Sequence, residues 1–338
     1  MNDKPFCNAP FSQILLSPSG KVHPCCYHFG ADLGSCDQKL ADVWNGSKIK
    51  KIRTEFLEGK PKTCKSRIKN LNCHLDFEHL SPFVERTIHQ EKSPIRIDVR
   101  LNGQCNLKCV MCDVWQQPNG LHDDGFFWKQ GPSEIFPYLK EIDLLGGEPF
   151  IQKDTFRLIE DVKKCNPDCQ FSFITNAQFQ NSNYILKTLQ GIRVKRIQIS
   201  MDAMTEATFK TVRRGGDYQL FLDNLDKLIE VDAKIIVSFC TLKQNWSEIP
   251  DFYRFCKRKN VEPLLQFAFY DPSNSSSLGK SSLNELETVV RELEEANSEG
   301  AYQLFLKDVT RPLKIRIAKL RRPNFNSCTA GSDHNLQS

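Results

Sequence analysis

The sequence predicts an α/β fold, a partial (β/α)6 TIM-type barrel with a small N-terminal cysteine-rich domain ahead of it. Two observations carry that expectation. From Ile95 onward, short β-branched runs alternate with helical stretches, the pattern of a parallel sheet covered by helices. Before that point, about 90 residues hold six of the 14 cysteines and too little apolar mass for a core of their own.

Taken in order, Ile14-Leu15-Leu16 and Val22 flank the turn signal Ser17-Pro18-Ser19-Gly20 and read as a hairpin. Lys48 to Leu57 reads as a helix stopped by Gly59 and Pro61. Barrel strands are expected at Ile95 to Leu101, Glu141 to Leu145, Phe171 to Thr175, Arg196 to Ser200, Lys234 to Leu242 and Leu264 to Phe269. Helices are expected at Ser133 to Lys140, Thr155 to Lys164, Asn181 to Gln190, Thr205 to Val212 continuing through Leu220 to Val231, and Ser247 to Lys259. Ser273 to Ser282 reads as a polar loop, Leu283 to Ala296 as an acidic amphipathic helix, and the tail after Pro323 as loop. Six units without a seventh give a partial barrel, and the expected division is 1–90, 91–272 and 273–338. In such sheets functional groups gather at the carboxyl ends of the strands.

Composition narrows the chemistry. With 338 residues, 40% hydrophobic and 26% charged, the chain is neither disordered, collagenous nor coiled-coil. No apolar export segment opens it, and no apolar run approaches the roughly 20 residues that span a bilayer. A cytoplasmic, membrane-free protein with reduced thiols is expected. So many reduced thiols exceed what packing requires, which points to metal or iron–sulfur ligation. A net charge of +5 selects no partner, and no nucleic-acid partner is expected. The basic run Lys307, Arg311, Lys314, Arg316, Lys319, Arg321 and Arg322 reads as a solvated helix face.

The motifs fall at strand ends. After the first barrel strand comes Cys105-Asn-Leu-Lys-Cys109-Val-Met-Cys112, three thiols that can wrap one corner of a cubic iron–sulfur cluster and leave its fourth iron open. A zinc loop is the alternative, but structural zinc takes four ligands and only Asp113 adjoins. The second strand runs into Gly146-Gly147-Glu148-Pro149, where glycines admit close approach of a ligand and Glu148 could receive an ammonium group. The third ends at Thr175-Asn176 and the fourth at Ser200-Met201-Asp202, a hydroxyl and a carboxylate suited to a ribose or to helix capping. Arg213, or equally Arg214, could grip a carboxylate.

Together these motifs resemble, in order and spacing, those of the radical S-adenosylmethionine (radical SAM) enzymes over about Pro94 to Phe269. The resemblance implies that Cys105, Cys109 and Cys112 hold a catalytic four-iron four-sulfur cluster whose open iron is chelated by S-adenosylmethionine. It also implies that Gly146, Gly147 and Glu148 face the methionine amino group, Ser200 and Asp202 the ribose, and Arg213 the carboxylate, with Asn176 in the same motif set. Met111 stands where the family has an aromatic residue against adenine. The implied chemistry is reductive cleavage of S-adenosylmethionine to a 5′-deoxyadenosyl radical, which takes a hydrogen atom from the substrate.

The run Cys7, Gly20, Cys25, Trp44, Arg53, Gly59, Cys64, Cys73 is similar to the SPASM or twitch auxiliary-cluster modules of some of these enzymes, here ahead of the core. The full two-cluster pattern would need cysteines where Arg67 and Phe77 stand. A single auxiliary four-iron cluster on Cys7, Cys25, Cys64 and Cys73 is therefore expected, with Cys26 an alternative to Cys25, Cys36 a spare, and a four-cysteine zinc site the competing reading. Cys165, Cys169, Cys240 and Cys256 read as packed thiols, and Cys328 has no assignment. Peptide or protein oxidation or crosslinking is the expected reaction, with dehydrogenation or epimerisation of a sugar or cyclitol as the alternative and a zinc-stapled binding protein as the competing class. An external one-electron donor such as flavodoxin or ferredoxin is implied. His23, His28, His74, His79, His89, His122 and His334 lie outside the strand-end motifs and read mostly as surface residues.

Overall fold

A computed structural model describes residues 6–26, 31–64, 72–267, 283–298, 313–315, 317–318 and 321. The expectations for Arg67, Ser273 to Ser282, Lys307, Arg311, Arg316, Lys319, Arg322, Cys328, His28, His334 and the tail lie outside these residues.

The parallel sheet forms where β-branched and aromatic residues alternate with polar ones. Its strands are β1 (Gln13–Leu16), β2 (Lys21–His23), β3 (Gly34–Ser35), β4 (Arg96–Val99), β5 (Glu141–Leu144), β6 (Gln170–Thr175), β7 (Arg193–Ser200), β8 (Lys234–Thr241) and β9 (Glu262–Phe267). They lie in the order β3-β2-β1-β4-β5-β6-β7-β8-β9. Strands β4 to β9 are the six parallel strands expected of the partial barrel. The hairpin β1–β2 does not stand apart: β1 pairs in parallel with β4, Gln13 opposite Arg96 and Leu16 opposite Val99.

Each strand presents two chemically distinct faces. Ile97, Val99, Ile142, Leu144, Phe171, Phe173, Ile197, Ile199, Val237 and Phe239 are almost fully buried on one. Helices cover that face: α2 (Lys153–Cys165), α3 (Ser182–Gln190), α4 (Glu206–Val212), α5 (Tyr218–Ile229) and α6 (Ile249–Lys259) follow the strands in turn. Phe239 of β8, for example, meets Phe252 of α6 with ring centroids 5.0 Å apart. Burying one such ring contributes about 1.5–3 kcal/mol.

The opposite face is charged. Arg96 donates to Asp143 at 2.5 Å, Arg196 reaches the same carboxylate at 3.4 Å, and Arg100 stands 3.6 Å from Asp98. Toward the amino ends of the strands this face is closed by a run of tight turns, Asn72–Phe83. There Arg96 donates to the Asp76 carbonyl (3.0 Å) and lies over the Phe77 ring, while His79 bonds Glu141 (2.6 Å). Arg53, fully buried in helix α1 (Ser47–Leu57), gathers the rest of the amino-terminal segment by donating to Pro10 O, Asn45 Oδ1 and Ile88 O and lying over Trp44. Burial pushes its guanidinium down to about 9.

Two helix expectations change. Ser133 to Lys140 is not one helix; the segment is α-helical over Phe126–Gln130, widens over Gly131–Ile135 and tightens over Phe136–Tyr138, because Pro132 and Pro137 cannot donate to a regular ladder. The stretch from Thr205 to Val231 breaks at Gly215 (φ +90°), and α5 restarts at Asp217, whose carboxylate caps Leu220 N. The acidic helix α7 (Leu283–Ser298) pairs with the basic run through Glu294–Lys314 and Glu287–Arg321. Among the described residues no helix is long and apolar enough to cross a membrane.

The histidines also differ from expectation, since His23, His74 and His122 are buried. His122 Nε2 lies 2.7 Å from the Ser17 carbonyl, and its Nδ1 is buried without a hydrogen bond among the described residues. Burial lowers its pKa below the ordinary imidazole value, so the folded protein favours the neutral ring. The stability it contributes is complete above that value and is lost as pH falls below it. Anaerobic thermal melts between about pH 7.5 and about 5.5 should show the wild type losing more stability than His122→Gln.

Candidate active site

The cysteine loop follows β4 and is fixed by backbone pairing to the end of α4. Lys108 N donates to Arg214 O (2.9 Å) and Val110 N to Val212 O (3.0 Å). Its other flank rests on the turn after β5, where Gly147 N bonds Asn102 O and Glu148 N bonds Gln104 O. That contact accounts for both glycines. Gly146 has φ +127°, and a Cβ on Gly147 would lie 1.9 Å from the carbonyl oxygen of Gln104, one residue before Cys105.

Glu148 is fully buried, and its carboxylate accepts from Phe150 N (3.1 Å), Thr175 Oγ1 (2.8 Å) and Asn176 N (2.6 Å). Burial raises its pKa to about 7 against these donors and the Arg213 charge. The side chain offered on sequence as an ammonium receptor thus braces the ends of β5 and β6. Asn176 directs Nδ2 at Cys105 Sγ (3.7 Å) and at Asn106 Oδ1 (3.0 Å).

At the end of β7, Asp202 adopts φ +59°, a left-handed backbone unusual for a side-chain-bearing residue. Three partners hold it. Its carboxylate accepts from Cys240 N (2.6 Å) and Arg213 Nη2 (2.6 Å), and its carbonyl accepts from Asn245 Nδ2 (2.8 Å). Arg213, 5% exposed, points Nη1 at Cys109 Sγ (3.9 Å), and its Nε is buried with no hydrogen bond among the described residues. Arg214 is exposed, which separates the two candidates for the same role. Ser200, the last residue of β7, and Met111, in the cysteine loop, are half-buried.

All three loop thiols are raised by burial, Cys109 to about 12, and the Arg213 charge opposes that rise at each. Backbone amides oppose it too, from Leu107 at Cys105 and from Val114 at Cys112. Among the described residues no three Cys, His, Asp or Glu side chains meet closely enough to hold a single metal ion. Three soft sulfurs on one pinned loop, within reach of one guanidinium that has a spare buried N–H, fit an iron–sulfur cluster and an anionic ligand beside it.

The amino-terminal cysteines divide by burial. Cys7, Cys25 and Cys64 are buried in the main hydrophobic core, and Cys73 is half-buried at the start of the 72–83 turns. Cys26, half-buried, lies in the electrostatic surroundings of Asp98, Arg100, Arg96 and Asp76; burial pushes its thiol up to about 12. Cys36 donates its thiol to Leu121 O (2.6 Å), and its carbonyl accepts from Phe126 N (2.9 Å).

Two residues of this site carry no motif signal in the sequence, Cys240 and Asn245. Cys240, which reads as a packed thiol, lies in the electrostatic surroundings of Asp202, Arg213, Cys109 and Cys112. Only its place at the end of β8 could signal this. Asn245, fully buried, also accepts from Leu242 N (2.7 Å).

Comparison with known proteins agrees with this arrangement. Residues 99–256 match the model of the radical SAM superfamily, and residues 7–73 match an iron–sulfur cluster-binding domain. The chain therefore carries a radical SAM domain with a SPASM-type module ahead of it; members of that superfamily are enzymes, and the cofactors of the class are a four-iron four-sulfur cluster with S-adenosylmethionine and auxiliary iron–sulfur clusters. It is 31% identical over 174 residues to a GTP 3′,8-cyclase of Clostridium botulinum, covering 47% of this chain and 52% of that protein. A GTP 3′,8-cyclase of Listeria monocytogenes is 27% identical over 217 residues, 60% of this chain and 62% of that one. The chain thus spans about half to three-fifths of the length of the curated relatives it matches. Among solved structures, native anSMEcpe with bound AdoMet has a TM-score of 0.48 at 16% identity, covering 61% of this chain and 62% of that chain.

The Gly147 contact gives a direct test. Gly147→Ala should cost about 1–3 kcal/mol or more, as overpacking against backbone does, and lower the iron retained by the loop. Gly191→Ala, where the new methyl comes closest to the flexible end of Lys163, should do neither. Thermal melts and iron content of the two variants check this.

Proposed function

We propose that the protein is a radical SAM enzyme that removes a hydrogen atom from a peptide or protein substrate, installing an oxidation or crosslink. The observation that carries the reading is the cysteine loop pinned to α4, with Asn176 and Arg213 aimed at two of its sulfurs. Cys105, Cys109 and Cys112 hold the catalytic cluster; Gly146, Gly147, Glu148, Asn176, Ser200, Asp202, Arg213 and Met111 border S-adenosylmethionine. When bound, the reduced cluster and S-adenosylmethionine supply a 5′-deoxyadenosyl radical that takes the substrate hydrogen.

The chain's own residues position and shield that chemistry. Glu148 reaches the ligand surface through its backbone, because its carboxylate is committed to Phe150, Thr175 and Asn176. The spare Nε of Arg213 is the donor left for an anionic group. Cys7, Cys25, Cys64 and Cys73 close an auxiliary cluster in the 1–90 segment, beside the 91–272 core and the 273–338 extension. Cys25 is the ligand rather than Cys26, since Cys25 is buried in the core as Cys7 and Cys64 are, while Cys26 is half-buried in the field of Asp98, Arg100 and Arg96. An external one-electron donor of the flavodoxin or ferredoxin kind supplies the electron.

Enzymes that carry such an iron–sulfur module mostly install crosslinks or oxidations in ribosomally made peptides, the basis of the peptide reading, or dehydrogenate alcohols in small sugars and cyclitols. A small polar substrate such as a nucleotide, sugar or cyclitol is the second reading, favoured by the Arg96, Arg100 and Arg196 face and by the relatives named GTP 3′,8-cyclase.

Anaerobic reconstitution should give ~8 irons per chain, four for each cluster, and dithionite-dependent 5′-deoxyadenosine. Replacing Cys105, Cys109 and Cys112 together by Ala should abolish the nucleoside and leave ~4 irons. Stoichiometric zinc with no cleavage of S-adenosylmethionine would overturn the reading, and loss of all iron in the triple variant would remove the auxiliary cluster from it.

A further inference from the structure

Two side chains from different elements end on the sulfurs of the cysteine loop. Asn176, at the end of β6, directs its amide at Cys105 (3.7 Å), and Arg213, just after α4, directs its guanidinium at Cys109 (3.9 Å). Both are almost fully buried, at 7% and 5% exposure. Neither is free to swing away. The backbone N of Asn176 is fixed on Glu148, its Oδ1 accepts from Gln178 N (2.8 Å), and its second amide hydrogen is taken by Asn106. The Arg213 fork is fixed by Asp202, which is itself held by Cys240 N.

From this arrangement we propose that Asn176 and Arg213 are positioning residues that set the reduction potential of the catalytic cluster, resting on the reading that Cys105, Cys109 and Cys112 hold one. The physical reason is charge. Reduction adds one electron, delivered by an external one-electron donor, and the extra negative charge spreads onto the sulfurs. An N–H or a guanidinium aimed at a sulfur stabilises the more negative state and raises the potential. Because both donors are themselves almost fully buried, water screens that effect little. The two residues make the resting cluster easier to reduce before any substrate is present, and buried Glu148 and Asp202 keep their donors aimed.

The proposal is tested by redox titration of the anaerobically reconstituted full-length protein without S-adenosylmethionine, following the paramagnetic signal of the reduced cluster. The signal that disappears when Cys105, Cys109 and Cys112 are all changed to Ala is the catalytic one. Asn176→Leu should lower its midpoint potential by an amount corresponding to about a tenfold smaller reduced-to-oxidised ratio at fixed potential, about 59 mV for one electron. Gly191→Ala, outside the cysteine loop and its supports, should not shift it. Arg213→Lys, which keeps the charge but withdraws the planar fork from Cys109, should also lower it, and serves if Asn176→Leu does not fold. A catalytic signal with the wild-type potential in both Asn176→Leu and Arg213→Lys would overturn the proposal. Absence of that signal from the wild type would instead overturn the underlying cluster assignment.

Discussion

The candidate site depends on one buried ion pair, Asp202 with Arg213 at 2.6 Å. It joins four pieces of chain that are distant in sequence: the end of β7, the end of β8 through Cys240 N, the loop at Asn245, and the cysteine loop through Cys109. Neither charge reaches solvent, so each is tolerable only because the other is there; removing one partner of such a pair typically costs about 3–5 kcal/mol. The left-handed backbone of Asp202 is tolerated for the same reason, since three bonds hold it. Ala177, at the end of β6, adopts φ +56° and is likewise held, by Thr175 Oγ1 on its N–H. Two non-glycine residues in this conformation at successive strand ends mark where the fold gives up local comfort for the placing of groups.

The sheet divides its labour between its two sides. Aromatic and branched side chains under the helices supply the burial that stabilises it, which leaves the other side able to carry Arg96, Asp98, Arg100, Asp143 and Arg196. These charges are mutually compensated along β4, β5 and β7 rather than exposed to water. Burial still raises the Asp98 carboxyl to about 6, against the nearby arginines. A surface of this kind is poor lining for an apolar ligand and good lining for one rich in hydrogen-bonding groups.

Much of this is legible in the sequence because it is local. The six barrel strands follow from short β-branched runs between helical stretches, and the loop thiols and Gly146-Gly147 follow from spacing. What is not legible is non-local. No pattern in Gln13 to Leu16 says that this strand pairs with Arg96 to Val99, some eighty positions later. Nor does a carboxylate announce whether it meets a ligand or a neighbour: Glu148 reads as a receptor and proves to be a brace, because Thr175 and the Asn176 amide arrive from another strand. His122 reads as one of the mostly surface histidines, yet it is buried against the Ser17 carbonyl. Pro132, Pro137 and Gly215 are visible in the chain, yet the apolar periodicity around them masks their power to break a helix.

The placement of β1 also bears on how the molecule is protected from its own kind. A central parallel strand ending a sheet would offer β4 as a bare row of amides and carbonyls, open to a strand from another molecule. Here β1 occupies that row, and the sheet ends instead on β3, two residues long and turned antiparallel through β2. The cysteine-rich segment is therefore the barrel's edge guard, and excising it to obtain a minimal core would trade an iron–sulfur site for a sticky border.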